Sequence, residues 1–179
     1  MPRNIEIKAR INSVEDLLPL ACQLAGSKAE RIQQDDTFFI VPHGRLKLRE
    51  FADGSAELIH YHRADTEQAK ASDYVRVPVP DAAALREALQ RGCGLLGRVR
   101  KQRWLVIVQS QGFSTRVHLD RVEDLGDFME LEVVLQPEQS DADGMATAAR
   151  VQQQLGLGSK SCIRGSYLDL LTALQRGKY

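Results

Sequence analysis

Basic side chains recur at every second position in several short stretches of this sequence. Alternate residues of a β-strand point to the same face, so each stretch gathers its charges on one face and leaves aliphatic residues on the other. Arginine and lysine are the natural ligands of phosphate oxygens, the first as a planar fork and the second as a point charge. If these faces turn inward in a closed or nearly closed sheet, they predict a cavity for a highly charged anion. The residues concerned are Lys8, Arg10, Lys47, Arg49, Arg63, Lys101 and Arg103.

Carboxylates follow the same spacing. Glu130 and Glu132 lie two residues apart and share a face, while their aliphatic neighbours take the opposite face. With Glu6 and Asp120, they offer the hard oxygen ligands that Mg²⁺ and Mn²⁺ prefer. A metal ion that bridges a phosphate chain would neutralise charge and stabilise a phosphoryl-transfer transition state. The alternation alone is equally compatible with a sandwich whose charged faces are exposed to solvent.

Eight strands and four helices are predicted to position these side chains. The strands are expected at residues 4–10, 36–41, 45–51, 56–63, 74–79, 99–109, 114–120 and 128–135. The helices are expected at about 14–24, 80–92, 140–155 and 166–174, and Pro19 is expected to bend or shorten the first one. The Asp53-Gly54 dipeptide favours a tight hairpin. The sequence therefore predicts a single α+β domain over residues 1–179, an eight-stranded antiparallel β-barrel with helices packed outside.

The overall charge excludes some classes of protein. Basic and acidic residues number 24 each, so the formal net charge is zero. This balance argues against a surface built to attract nucleic acid, and no nucleic-acid partner is expected. No apolar run approaches a membrane span, and the first residues do not resemble a signal peptide. The expectation is a cytoplasmic protein without membrane association.

Five short motifs follow one another along the chain. They are Asn4-x-Glu6-x-Lys8, Leu46-Lys47-Leu48-Arg49, Lys101-x-Arg103, His118-Leu119-Asp120 and Glu130-Leu131-Glu132. Their types and order resemble the CYTH superfamily, and the resemblance covers essentially the whole chain, including Ser166-Tyr167-Leu168. The superfamily joins class IV adenylyl cyclases and thiamine triphosphatases, and related members are called triphosphate tunnel metalloenzymes.

The resemblance implies a CYTH-like triphosphate tunnel that binds a small triphosphate-bearing substrate together with Mg²⁺ or Mn²⁺. By position, it implies that the metal ligands are Glu6, Asp120, Glu130 and Glu132. The implied triphosphate ligands are Lys8, Lys47, Arg49, Lys101 and Arg103, with Arg10, Arg63 and Arg164 as further candidates. Asp120 and Lys101 are the implied catalytic residues. The resemblance also allows a homodimer.

Three functions are compatible with this tunnel. The resemblance favours a class IV-like adenylyl cyclase that converts ATP to cyclic AMP and pyrophosphate. The alternative is a triphosphatase that acts on inorganic triphosphate, thiamine triphosphate or a nucleotide, and a third is a protein that binds such a compound without cleaving it. The opening motif of the family is commonly Glu-x-Glu-x-Lys, but in this sequence Asn4 occupies the position of the first glutamate. Because asparagine supplies no negative charge, we expect one metal site to be weaker or absent, or the substrate preference to differ.

Overall fold

One antiparallel sheet contains every strand that the structure describes. The structure is a computed structural model, and it describes residues 3–63, 72–158, 162–163 and 165–177. The strands are β1 (Arg3–Arg10), β2 (Glu30–Phe39), β3 (Arg45–Phe51), β4 (Ala56–Arg63), β5 (Ser72–Pro78), β6 (Leu95–Ser110), β7 (Phe113–Val122) and β8 (Gly126–Leu135). The helices are α1 (Val14–Ala25), α2 (Ala82–Cys93), α3 (Asp141–Gln154) and α4 (Tyr167–Arg176). The predicted α+β class with eight antiparallel strands is confirmed.

The sheet curls into a half-barrel in the order β1-β8-β7-β6-β2-β3-β4-β5. Strands β1 and β5 form its two edges, and no ladder joins them within the described parts of the chain. A short segment lies along the free edge of β1, where the Ile163 amide donates to the Lys8 carbonyl at 2.9 Å. Cys162 forms a bridge to Ala9 in the same place. The residues before α4 therefore cover part of the seam that the sheet leaves open.

The aliphatic faces of most strands pack outward against the helices, whereas Val75 and Val77 on the outer face of β5 are exposed. One cluster joins β1, β6, β7 and β8 to α1 and α3, and Val117 and Leu131 within it are fully buried. Further clusters lie beneath α4 and α2. Because the apolar faces are buried under the helices, the charged faces line the inside of the curl. The alternative of a sandwich with solvent-exposed charged faces is wrong.

Ser13 begins α1 by accepting a hydrogen bond from the Asp16 amide at 3.1 Å, and Gly26 ends it in the left-handed conformation. Pro19 lies inside this helix without ending it, because Val14, Leu17 and Ala21 keep one face buried. Among the described residues, no helix is long and apolar enough to cross a membrane.

Two strands begin well before the residues that the sequence predicts. Strand β2 begins at Glu30 instead of residue 36, and β6 begins at Leu95 instead of residue 99. The first half of β2 is almost entirely polar, so its sequence lacks the alternation typical of a half-buried strand. It is held by its ladder with β6, which pairs Glu30 with Leu105 and Asp36 with Val99. Tertiary pairing thus extends a strand that local sequence does not favour.

Truncation of the core beneath the helices should test this packing. We expect Leu131→Ala, at a fully buried position, to lower the free energy of unfolding by about 2–5 kcal/mol because it leaves a cavity. Ile107→Ala, at a position that is 45% exposed, should change it by roughly 0.5 kcal/mol or less. Urea unfolding curves of the two variants provide the comparison, and equal midpoints would contradict the assigned core.

Candidate functional site

A cavity of about 460 Å³ lies inside the curl of the sheet. The inner faces of all eight described strands line it, and the start of α4 contributes Ser166, Tyr167 and Leu168. Among the described residues, the basic side chains that line it are Lys8, Lys47, Arg49, Arg76, Lys101, Arg103 and Arg116. The acidic ones, with the same restriction, are Glu6, Asp36, Glu57, Glu130 and Glu132. The cavity is therefore densely charged, with basic groups in slight excess.

Asp36 holds two of the basic residues together. It lies on β2 directly opposite Arg49 on β3, and it is only 3% exposed. Arg49 donates to its carboxylate from Nε and Nη2, both at 2.7 Å, and Lys47 donates from Nζ at 2.8 Å. Burial alone would raise the pKa of Asp36, but the charges of Lys47 and Arg49 outweigh it and hold the pKa below the usual value. Asp36 is thus ionised throughout the working pH range.

Asp120 holds a second pair in the same way. It lies on β7 opposite Arg103 on β6 and is fully buried. Arg103 donates from Nε and Nη2 at 2.7 Å, Lys101 donates from Nζ at 3.0 Å, and the Tyr167 hydroxyl donates at 2.9 Å. Burial would raise the pKa of Asp120, but Arg103 and Lys101 lower it. The carboxylate lies behind these donors and is not among the groups that line the cavity.

Three glutamates form the wall made by β1 and β8. Glu130 accepts from Arg103 Nη2 at 2.8 Å and lies 3.5 Å from Lys8 Nζ. Burial would raise the pKa of Glu130, but Lys8 and Arg103 lower it well below its usual value. Glu132 accepts from Arg116 Nη1 at 3.2 Å and lies directly opposite Glu6 in the β1–β8 ladder. Because like charges at directly opposed positions destabilise a sheet, this wall favours the binding of a cation.

The two lysines of the basic pairs have lowered pKa values. Burial, followed by the charge of Arg103, lowers the pKa of Lys101 to about 7. Burial, followed by the charge of Arg49, lowers the pKa of Lys47 to about 8. At neutral pH the cavity of the free protein therefore carries less positive charge than its basic residues suggest. An anion bound beside them would favour the charged ammonium forms.

Two further groups complete the site, and the sequence assigned no role to either. His118 is 4% exposed, and its Nδ1 has no partner among the described residues. Burial and the charge of Arg103 lower the pKa of His118 well below its usual value, so the imidazole is neutral at pH 7. The ring of Tyr167 lies 4.1 Å from Lys8 Nζ and 5.0 Å from Lys101 Nζ. Both ammonium groups are thus placed against its π-face.

Tyr167 is the first residue of α4, and the start of that helix is fixed in two ways. Ser166 and Asp169 form a capping box, in which each side chain bonds the backbone amide of the other. Arg45 on β3 reaches Asp169 Oδ2 at 2.9 Å. Burial raises the pKa of Tyr167 well above its usual value, so its hydroxyl stays protonated and can donate to Asp120. The helix start therefore ties β3 to the buried aspartate of β7.

Most of the predicted site residues come together in the cavity, two described ones do not line it, and two more have side chains outside the described residues. Those that line it are Glu6, Lys8, Lys47, Arg49, Lys101, Arg103, Glu130 and Glu132. Asp120 lies directly behind. Arg10 is exposed and turned away, since its Nη1 donates to the Leu125 carbonyl at 2.8 Å and its guanidinium stacks 4.7 Å from the Phe128 ring centre. The side chain of Arg63 and the whole of Arg164 lie outside the described residues.

The structure also adds lining residues that the sequence predictions missed. They include Asp36, Glu57, Arg76, Arg116, His118 and Tyr167. Asp36 shares a strand face with Gln34 and Phe38, so its inward direction follows from the period of two once β2 has its full length. Its pairing with Arg49 needs the strand register, which no local signal provides.

The donor set fits a hard divalent cation that is shared with a substrate. Among the described residues, no three His, Cys, Asp or Glu side chains lie close enough to form a complete metal cage. However, Glu6 and Glu132 lie opposite each other, and Asn4 has a buried Oδ1 without a partner in the described chain. Mg²⁺ commonly binds through one or two carboxylates and takes its other ligands from phosphate and water. The oxygen donors of this wall fit that mode of binding.

The chain belongs to the CYTH family, because a sequence model of the CYTH domain matches residues 2–167. CYTH triphosphate tunnel enzymes are metal-dependent and act on triphosphate substrates. Members of the superfamily are adenylyl cyclases or triphosphatases. Sequence comparison with curated proteins gives no match. The predicted resemblance to the superfamily is confirmed.

Solved structures share the fold at low sequence identity. A protein of Pyrococcus horikoshii superposes with a TM-score of 0.79 at 24% identity, covering 93% of this chain and 98% of its own. A Vibrio parahaemolyticus protein, provisionally named an adenylate cyclase, has a TM-score of 0.73 at 19% identity, with 95% and 98% covered. A Hippeastrum protein provisionally named an adenylyl cyclase, for which a dominant triphosphatase activity is described, has a TM-score of 0.64 at 13% identity, with 88% and 89% covered. These likenesses establish the fold.

The lowered pKa of Lys47 leads to a prediction about proton uptake. Since that pKa is about 8 in the free protein and a bound polyphosphate raises it, binding should take up protons near and above that pH. At about pH 8.5 we expect an uptake of roughly half a proton or more per bound non-hydrolysable triphosphate analogue, with affinity falling as the pH rises further. Calorimetric titrations in two buffers of different ionisation enthalpy measure the uptake.

The control for this titration is a lysine outside the cavity. Lys47→Met should remove part of the uptake, whereas Lys28→Met, at an exposed position between α1 and β2, should leave it unchanged. Equal uptake in the wild type and in Lys47→Met would contradict the assignment to Lys47.

Proposed function

We propose that this protein is a metal-dependent enzyme that cleaves a triphosphate by hydrolysis. The observation that carries the proposal is a set of two Lys–Arg pairs that face one cavity, which also has a wall of carboxylates. Lys47 and Arg49 form a half-buried pair, and Lys101 and Arg103 form a buried one. Arginine and lysine in this density are suited to phosphate oxygens. The carboxylates are suited to a hard metal ion.

The charges of the cavity support a ligand that arrives with metal. Among the described lining residues, seven are basic and five are acidic, which leaves an excess of two positive charges once Lys47 and Lys101 are both protonated, as a bound anion favours. The triphosphate chain of a nucleotide carries about four negative charges at neutral pH, because each inner phosphate contributes about one and the terminal one up to about two. Inorganic triphosphate has two terminal phosphates and carries up to about one charge more. The excess of basic groups balances only about half of these charges. One divalent cation bound with the triphosphate would bring the site close to neutrality.

The residues of this chain act mainly by binding and orienting the phosphate chain. Lys47, Arg49, Lys101 and Arg103 are placed to hold phosphate oxygens and to stabilise charge that develops on them during transfer. Lys8, against the ring of Tyr167 and beside Glu130, provides a further ammonium group. Glu6, Glu132 and the Oδ1 of Asn4 would hold Mg²⁺ or Mn²⁺ with the substrate. When bound, that ion supplies charge neutralisation and polarises the phosphoryl group.

Hydrolysis needs only a phosphate site that water can reach, and the charged walls provide that. The triphosphatase activity described for the Hippeastrum protein supports the same reaction. We infer that inorganic triphosphate, thiamine triphosphate or a nucleoside triphosphate is the substrate, with the protein acting in the cytoplasm. The role of Asp120 that this site supports is to hold Lys101 and Arg103, while Lys101 contacts the phosphate chain.

Adenylyl cyclase activity is the second candidate, and one specific feature favours it. Tyr61 and Tyr74 lie directly opposite each other in the β4–β5 ladder and line the cavity beside Ile59. Aromatic side chains contribute about 1–3 kcal/mol when a nucleobase stacks on them. This wall could accept the organic part of ATP while the basic pairs hold its phosphates. The Vibrio parahaemolyticus protein, provisionally named an adenylate cyclase, is consistent with it.

A substrate panel tests the proposal. Purified protein with Mg²⁺ or Mn²⁺ is offered inorganic triphosphate, thiamine triphosphate and ATP, while phosphate release and cyclic AMP are followed separately. We expect metal-dependent phosphate release, and Arg49→Ala should lower kcat/KM by about 100-fold or more because it removes a charged transition-state contact. Arg91→Ala, an exposed arginine on α2, is the control and should retain activity. Cyclic AMP with pyrophosphate would select the cyclase, and binding without turnover would overturn both enzymatic proposals.

Asn4 provides a separate test of the metal wall. We expect Asn4→Glu to reduce the Mg²⁺ concentration needed for half-maximal activity by about tenfold, equivalent to roughly 1.4 kcal/mol, because it adds a carboxylate beside Glu6. Asn12→Glu adds the same charge at an exposed position after β1 and should have no such effect. Metal titrations of activity compare the variants, and identical curves would remove Asn4 from the proposed metal site.

A further inference from the structure

The Asp36 cluster has an unusual balance of charge for a buried ion pair. One carboxylate is shared by two cations, Lys47 and Arg49, and all three side chains line the cavity. A structural salt bridge normally matches one charge with one charge, since burial of an excess charge costs folding free energy. Here a net positive charge is kept at the cavity wall. Such an arrangement is typical of a functional site.

The same cluster occurs a second time, with the same pattern of hydrogen bonds. In both, the arginine lies directly opposite the aspartate across a ladder, as Arg49 does with Asp36 and Arg103 with Asp120. In both, arginine Nε donates to Oδ1, Nη2 donates to Oδ2, and the lysine two residues earlier donates to the same Oδ2. The same arrangement of side chains thus occurs on two different strand pairs, which argues against a chance contact.

The hydrogen bonds fix the orientation of each guanidinium. A guanidinium has five N–H donors in a rigid plane, and the aspartate engages the edge made by Nε and Nη2. For Arg49 this leaves Nη1, for which no protein partner is recorded within the described chain. The carboxylate also holds Lys47 beside Arg49, although the two cations repel each other. Without it, both long side chains would separate and lose their common direction.

We propose that Asp36 is a positioning residue, which holds Lys47 and Arg49 in one fixed geometry for the phosphate chain of the substrate. The proposal rests on the proposed function and adds to it a residue that acts through two others. It has a distinctive consequence. Removal of the carboxylate also removes a negative charge from the cavity, so binding of an anion should not weaken, while the rate of the chemical step should fall because the contacts are misplaced.

The neighbouring residue on the same strand offers a matched control. Asp35 points to the outer face, where Arg98 donates to it from Nε at 2.6 Å and from Nη2 at 2.7 Å. Arg100 donates from Nε at 3.3 Å. Asp35 therefore holds two basic side chains as Asp36 does, but outside the cavity. A substitution at either position removes from β2 an aspartate and its hydrogen bonds with arginine. Only Asp36 faces the cavity.

The experiment compares the wild type with Asp36→Asn and Asp35→Asn, using inorganic triphosphate and Mg²⁺. For Asp36→Asn we expect kcat to fall by about 10- to 100-fold while KM is unchanged or lower. Calorimetric titration with a non-hydrolysable triphosphate analogue should still give one site per chain with undiminished affinity. Asp35→Asn should stay within about twofold of the wild type in kcat.

A double variant keeps the test informative if Asp36→Asn folds poorly. In the Lys47→Met background the charge imbalance is relieved, and the further change Asp36→Asn should then cost less in kcat than it costs alone, because the two residues act as a unit. Strictly additive losses would overturn the proposal.

The remaining outcomes separate the two proposals. A wild type that turns over triphosphate while Asp36→Asn matches it, or while both asparagine variants lose activity equally, overturns the positioning role alone. A fall in kcat with a proportional loss of binding sites shows a purely structural role and also overturns it. A wild type that neither binds nor cleaves any of the triphosphates overturns the proposed function and the positioning role with it.

Discussion

Buried positive charge is the constraint on which the rest of this structure depends. Lysine and arginine side chains inside the sheet lose hydration, and a buried charge without a partner costs of order several kcal/mol. Asp36 and Asp120 reduce that cost by sharing each carboxylate between two cations. The remaining cost is offset by the opposite faces of the same strands, where each fully buried apolar side chain contributes about 1.5–3 kcal/mol. The helices are therefore required on the outside for the inside to stay charged.

The sequence predicted which way the side chains face, because the strand period of two is local information. Glu130 and Glu132, and Lys101 and Arg103, share the inner face as their spacing indicates. The alternation does not show which positions along a strand reach the cavity. Arg10 is two residues after Lys8 in the same alternation, but it lies at the strand end, where it donates to the Leu125 carbonyl.

The partners across strands could not be predicted, because they depend on register and on the order of the strands. Strand β2 lies between β6 and β3, neither of which precedes it in the chain. The contact of Asp36 with Arg49 needs the register of the consecutive strands β2 and β3, whereas the place of β6 beside β2 needs the order of the strands. The same holds for Tyr167, which reaches Asp120 from a helix 47 residues further along. The start of its helix at about residue 166 was predicted, whereas its hydroxyl contact is a product of tertiary packing.

The open seam between β1 and β5 affects how the cavity can respond to its contents. In a fully closed barrel, the strand number and stagger fix the circumference. In the described part of this sheet no ladder closes the ring, so small changes of twist at each ladder can alter the radius without breaking a backbone hydrogen bond. The basic pairs lie on β3 and β6, whereas the glutamates lie on β1 and β8 next to the seam. A ligand that contacts both groups would connect the two sides of the sheet, and the length of the ligand would determine the width of the cavity.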